Sequence, residues 1–248
     1  MASIIKYESK PILDRPIFIE ALPGIGNVGK VAGDFLADAI KATKFATIYS
    51  ENFPPQVMLD EQCVIKMACN ELWFAKDVNE KDIIFLRGDF QGSTPEGQFE
   101  LSKEVMDILL EYDVSKIITL GGYGTGAMVD TPRVLGAVSN TTIRTYFEDL
   151  GVIFSPNDPQ AGIVGASGIL LGLGKVYGID SICLMGETSG YFVDHKSAMA
   201  ILNILMKVIG VDLDTKDLRE KSEQIDALTA KVKEFETQSS HEELNYIG

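Results

Sequence analysis

The chain has no run of apolar residues approaching the ~20 that a membrane-spanning helix needs, so no transmembrane segment is expected. Its opening residues, MASIIKYESK, lack a long apolar stretch followed by a small-residue cleavage site, and no secretory signal is expected. Cysteine is scarce. Cys63, Cys69 and Cys183 are an odd number set among apolar neighbours. That argues against a disulfide framework and for reduced core residues of a cytoplasmic protein. Histidine is scarcer, with 2 in 248 residues. No Cys/His cluster has ligand spacing, so neither a metal nor a cofactor is expected. Basic residues are outnumbered, 22 Lys and Arg against 36 Asp and Glu, for a formal net charge of −14. Nucleic acid and anionic membranes bind through basic patches, so neither is an expected partner.

What is present is a soluble composition, 46% hydrophobic and 23% charged, long enough to bury a core without staples. Apolar runs alternate with helical periods along most of it. RPIFIEAL reads as a buried strand, followed by a helix from about Asn27 to Lys41. KFATIYS reads as a second strand, CVIKMACNELWFAK as a hairpin broken at Asn70, and KDIIFLRGDF as a core strand. Then come an amphipathic helix (EGQFELSKEVMDILLEYD), a strand running into a glycine loop (SKIITLGGYGTG) and a short strand (PRVLGAVSN). A short helix closed by Gly151, a glycine-spaced helix (ASGILLGLGKVYG), a strand (SICLMGETSG) and a helix closed by Gly210 complete the series. Strands alternating with helices predict an α/β domain over residues 1–211, with a central mixed, mostly parallel sheet flanked by helices.

The character changes at Asp212. Residues 212–236 are charged and helical in period, with Leu218, Ile225 and Val232 seven apart and Leu228 and Phe235 in a second seven-residue series. Such a narrow apolar stripe packs on its own subunit or on a neighbour. Residues 237–248 are a polar tether ending in LNYIG, where Leu244, Tyr246 and Ile247 are either docked on the body or offered to a partner.

Three clusters suggest sites. Gly24, Gly26 and Gly29 spell GxGxxG around Asn27, with Glu51 after the next strand as the acidic residue of a dinucleotide site. Gly24, Gly29 and Lys30 also spell most of a Walker A loop, but Val31 stands where a magnesium-binding hydroxyl belongs. The helix start retains a capacity for anions. The competing reading is a tight strand-to-helix hinge, and pattern alone favours it. Gly121, Gly122 and Tyr123, with Thr125, Asp130 and Arg133, stand where a ligand-facing loop would lie at a sheet edge. Glu187, Asp194 and His195 are candidates for an acid–base set, although Asp194 equally suits a helix N-cap. Ser167 in GASGI does not make a nucleophile elbow. No convincing catalytic constellation emerges, and the chain is expected not to be an enzyme.

Five ordered stretches, ALPGIGNVGKVAGDFL, IITLGGYGTG, PRVLGAVSN, GIVGASGILLGLG and CLMGETSGYFVDHKSAMAILNIL, resemble the PAC2 family, the proteasome assembly chaperone 2-like proteins of archaea. The similarity spans roughly Arg15 to Lys233. It implies an α/β scaffold distantly like nucleoside phosphorylases and hydrolases, homo-oligomerisation, and no catalytic activity. It also implies a C-terminal hydrophobic–Tyr–X tail that docks between proteasome α subunits. Here the tail departs by one place, because Tyr246 is third from last and Ile247 and Gly248 follow it. The resemblance implies a homo-oligomeric proteasome assembly chaperone-like protein or adaptor, with the 20S proteasome α subunits and itself as partners. The alternative is a small-molecule-binding protein or enzyme using a pocket at Gly24, Gly26, Asn27, Gly29, Gly121, Gly122, Tyr123 and Glu187.

Overall fold

β-Branched and aromatic runs buried on both faces become the central strands. The computed structural model describes residues 3–155 and 162–224. In chain order its elements are β1 (Ile4–Tyr7), β2 (Ile17–Ala21), a 3-10 turn (Ile25–Asn27), α1 (Val28–Ala39), β3 (Thr43–Tyr49), β4 (Val57–Leu59), β5 (Ile65–Met67) and β6 (Asn70–Val78). There follow β7 (Lys81–Gly88), α2 (Pro95–Glu111), β8 (Lys116–Gly124), β9 (Val134–Val138), α3 (Arg144–Asp149), α4 (Gly165–Tyr177), β10 (Asp180–Thr188) and α5 (His195–Ile209).

Eight strands form one mixed sheet in the order β1-β3-β6-β7-β2-β8-β10-β9. Its parallel part is the centre, β7-β2-β8-β10. Antiparallel strands extend it on both sides, β6, β3 and β1 on one and β9 on the other. Alternation along the strands divides the core. Phe18 of β2 and Ile117 of β8 join Leu101, Met106 and Leu109 of α2 and Leu170 of α4 on one face. Ala21 of β2 and Leu120 of β8 point to the other face, against α1, which packs beside α5.

The helix ends follow their capping residues. Thr94 accepts from the Gly97 N–H at the start of α2, and Asp194 accepts from the Ser197 N–H at the start of α5. Gly178 and Gly210 close α4 and α5 in the left-handed conformation.

The hairpin expected within CVIKMACNELWFAK is not there. β5 pairs with β4 in a separate two-stranded ribbon, and β6 turns into β7 instead. The turn residues Asn79 and Glu80 have φ of 47° and 62°, the left-handed pair that a tight hairpin demands. Glutamate in the place where glycine usually serves hides that turn from a sequence reading. The ribbon carries Val57, Leu59, Ile65 and Met67 on one exposed face. β1 is also unforeseen in the sequence. The glycines expected as a loop after SKIITL instead continue β8 to Gly124.

By contacts the chain divides into two units, Met1–Leu213 and Asp214–Gly248. Residues 216–224 are helical, and Leu218 is buried. Ile225, Leu228, Val232 and Phe235 of the expected stripe lie outside the described residues, as do Leu244, Tyr246, Ile247 and Gly248 of the tail. Among the described residues, no helix is long and apolar enough to cross a membrane.

Candidate functional site: a cleft where two parallel strands part

The ladder between β2 and β8 runs from Ile17↔Lys116 to Glu20↔Thr119 and ends there. β8 continues beside β10 as far as Gly124↔Thr188. From β2 the chain passes through α1 to strands on one side of the sheet, whereas β8 leads to β10 on the other. A crevice at the carboxyl ends of strands that part in this way is where open α/β sheets place ligands. Here it is a cleft of about 640 Å³ on the face that carries α2 and α4.

Glu20 stands behind its floor. It is fully buried, the one acidic residue of a strand that is otherwise apolar. Its Oε1 accepts from the Leu22 N–H at 3.0 Å, and its Oε2 accepts from the Leu120 N–H at 3.4 Å. The carboxyl thereby serves backbone groups where the strands separate. Ser167, in the first turn of α4, donates to Glu20 Oε2 at 2.8 Å and lies 3.2 Å from the Leu120 carbonyl oxygen. Burial pushes the Glu20 carboxyl up to about 7, against the hydrogen bonds from Ser167, Leu22 and Leu120 that favour its ionised form. Cys183, on the cleft wall, is likewise buried, and its thiol is pushed up to about 12. A thiol held so far from ionisation is inert as a nucleophile at neutral pH.

Gln91 holds the walls together. Its Nε2 donates to the Pro23 carbonyl at 2.7 Å, and its Oε1 accepts from the Ala166 N–H at 2.9 Å. The loop after β2 and the start of α4 are therefore tied across the cleft.

Of the candidate pocket residues, Gly24, Gly121, Gly122 and Tyr123 line this cleft. Gly26, Asn27, Gly29 and Glu187 do not join them. Gly26 has φ of +60°, and a Cβ there would stand 2.8 Å from Thr188 Oγ1. Asn27 takes the left-handed conformation as it opens α1. A Cβ on Gly29 would meet the Leu120 carbonyl oxygen at 2.5 Å, so this glycine serves close packing of α1 on β8. Lys30 donates to the Gly88 carbonyl at 3.0 Å and pairs with Asp34 at 2.9 Å, which commits the Walker-like lysine to the scaffold. Glu51 follows β3, which is separated from β2 by β7 and β6. Three strand spacings put β3 about 14 Å from the loop, out of place for a dinucleotide ribose.

Two members of the expected acid–base set are committed to structural contacts. Glu187 is 5% exposed and accepts from the Arg133 Nε at 2.9 Å and from the Arg133 N–H at 3.0 Å. Its carboxyl is held below the usual range chiefly by that guanidinium hydrogen bond. Asp194 is the cap of α5. No group of three His, Cys, Asp or Glu among the described residues is placed to hold a metal ion.

The sequence reading missed Glu20 and the use of Ser167. The available signal was a glutamate closing PIFIE, a strand whose other residues are apolar or small.

The family model described as the PAC2 family matches residues 18–233. An uncharacterized protein of Methanocaldococcus jannaschii is 32% identical over 259 residues, covering 100% of this chain and 99% of its own. Pyrococcus furiosus PbaB, an archaeal proteasome activator, superposes with a TM-score of 0.87 at 36% identity, covering 94% of this chain and 99% of that one. Pyrococcus furiosus PbaA, an archaeal homolog of proteasome-assembly chaperone, superposes at 0.77 with 26% identity, covering 97% and 96%.

Proposed function

Because the chain belongs to the PAC2 family, we propose that it is a non-enzymatic, homo-oligomeric proteasome-binding adaptor or assembly chaperone of the cytoplasm. Its partner is the α ring of the 20S proteasome or the precursors of that ring. The observation that carries this reading is the end-to-end likeness to the archaeal proteasome activator PbaB. Commitment of Glu187 to a structural ion pair and of Asp194 to a helix cap supports the non-enzymatic part.

The contact is assigned to the tail. Leu244, Tyr246 and Ile247, followed by Gly248, supply apolar and aromatic groups for a pocket. A single tail of this length makes a weak contact. Several tails on one oligomer raise the effective concentration and convert weak contacts into stable binding. Leu218 is buried within the single chain, and the apolar positions that continue its spacing in sequence, Ile225, Leu228, Val232 and Phe235, are assigned in this reading to contact with a neighbouring subunit.

The test compares the full chain with one ending at Gln238. Immobilised full-length protein should retain 20S α subunits and the shortened chain should not, with both eluting at the same size in gel filtration. Equal retention would sink the role of the tail. Collapse of the shortened chain to monomers would mean that the tail locks subunits together instead.

A further inference from the structure

We infer that the cleft where β2 and β8 part is a binding site for an uncharged, largely apolar small molecule that donates a hydrogen bond to Ser167. The inference does not depend on the proteasome reading.

Its first support is glycine where the protein has no use for glycine. Six of the described lining residues are glycines, and three of them are required: Gly122 would drive a Cβ into the Ile25 carbonyl oxygen at 2.2 Å, and Gly162 and Gly165 each have φ of +79°. Gly124, Gly121 and Gly24 differ, the first meeting only Ile25 side-chain carbons at 3.6 Å or more. A Cβ on Gly121 would meet nothing nearer than Met185 Cγ at 3.9 Å, which is ordinary contact, and a Cβ on Gly24 would meet nothing within 4 Å. Gly24 has φ of −156°, open to any residue, and Gly121 lies in the regular ladder Met185↔Gly121. Both line the cleft. What their missing side chains preserve is the empty space itself.

The lining then restricts the occupant. A cavity of about 640 Å³ lies within the roughly 300–1,000 Å³ range typical of small-molecule sites. Its walls are mostly apolar, with Leu22, Ile25, Phe90, Ile163 and Met185 prominent. No lysine, arginine or histidine is among the lining residues described. Its acidic group, Asp89, pairs with Lys66 at 3.1 Å. The start of α4 would draw an anion, but Gln91 Oε1 already occupies the Ala166 N–H. A phosphate or carboxylate would enter this space at a desolvation cost that no cation among the described lining residues offsets.

Ser167 sets the polarity of the hydrogen bond. Its hydroxyl carries one proton. When Glu20 is ionised, that proton goes to Glu20 Oε2 at 2.8 Å. When Glu20 is protonated, the carboxyl donates to Ser167, whose own proton turns to the Leu120 carbonyl at 3.2 Å. In both states the proton stays within the protein, and the oxygen offers the cleft a lone pair. The ligand must therefore bring an N–H or O–H.

N-Phenyl-1-naphthylamine is a suitable probe, being uncharged and aromatic with one N–H. Anilinonaphthalene sulfonate has the same body with an added anion. Titrated into the full chain by fluorescence, the amine should saturate at one molecule per chain. The sulfonate should bind at least about tenfold more weakly, the equivalent of ~1.4 kcal/mol. Gly121→Val and Gly24→Leu should each weaken the amine about tenfold or more by filling the space, with unchanged thermal unfolding. Gly24 is exposed, so Gly24→Leu decides the matter if Gly121→Val fails to fold. Ser167→Ala should cost the amine roughly fivefold, the worth of one neutral hydrogen bond. No binding of the amine, equal binding of the sulfonate, or full binding by folded Gly24→Leu would each overturn the inference. Unchanged binding by Ser167→Ala would overturn the hydrogen bond.

Discussion

The Ser167 hydroxyl donates to the buried Glu20 carboxyl at 2.8 Å, joining the first turn of α4 to the last turn-ward residues of β2. Few other links cross this gap, because the β2–β8 ladder has already ended at Glu20↔Thr119. A carboxyl in that position holds the strand ends together while keeping them apart. Its titration, its neighbours and the glycines around it yield checkable outcomes.

Glu20 titrates at about 7 in the folded chain, above the ordinary value of 4.5, because burial penalises its charge. Between these values the folded state holds a proton that the unfolded state has lost. Stability therefore falls as pH rises through this window, by up to about 1.4 kcal/mol per pH unit, and the loss is complete above about 7. Glu20→Gln cannot ionise and should remove this slope. Urea midpoints from pH 4.5 to 8 for both proteins provide the check, and parallel profiles would refute the assignment.

Glu187 has the opposite sign. Arg133 holds its carboxyl below the ordinary range, so the pair contributes stability above the unfolded value that is lost as pH falls through the folded one. Arg133→Met leaves a nearly buried carboxylate without its guanidinium, while the arginine side chain itself is 54% exposed. We expect a loss of about 1–2 kcal/mol at pH 7 that closes as the pH falls through the folded value. A gap that stays constant with pH would show that packing, not charge, is what Arg133 supplies.

Two glycine-to-alanine changes in helices should act oppositely. Gly29→Ala forces a methyl to within 2.5 Å of the Leu120 carbonyl oxygen, and we expect a net loss of about 2 kcal/mol despite better helix propensity. Gly172 in α4 has nothing within 4 Å of its would-be Cβ, so Gly172→Ala should gain about 0.5–1 kcal/mol. Thermal unfolding of the two variants separates packing from propensity.

Lys30 spends its ammonium on the Gly88 carbonyl and on Asp34. Magnesium ATP and NAD, each at about 1 mM, should therefore leave the thermal midpoint unchanged, since only a ligand that binds the native state raises it. Lys30→Met should cost about 1 kcal/mol, the scale of one charge-assisted hydrogen bond that is part exposed. A nucleotide-induced rise in the midpoint that Lys30→Met abolishes would restore the phosphate-loop reading.

Local pattern carried a large part of this molecule. The helices α1, α2, α4 and α5 and the strands β2, β3, β7 and β10 were legible because each writes its period or its unbroken apolar run into adjacent residues. Asp194 and Gly210 announced the ends of α5 through capping chemistry that needs no distant partner. The order of motifs along the chain was enough to indicate the PAC2 family. What sequence could not carry was which strands lie side by side. Placing β7 and β6 between β2 and β3 separates Glu51 from the glycine loop, and the early end of the β2–β8 ladder opens the cleft. Both follow from pairings between residues far apart in the chain. The same holds for the glycines: Gly29 and Gly121 are one letter in sequence, and only the atoms opposite them show that one closes a contact and the other keeps a space.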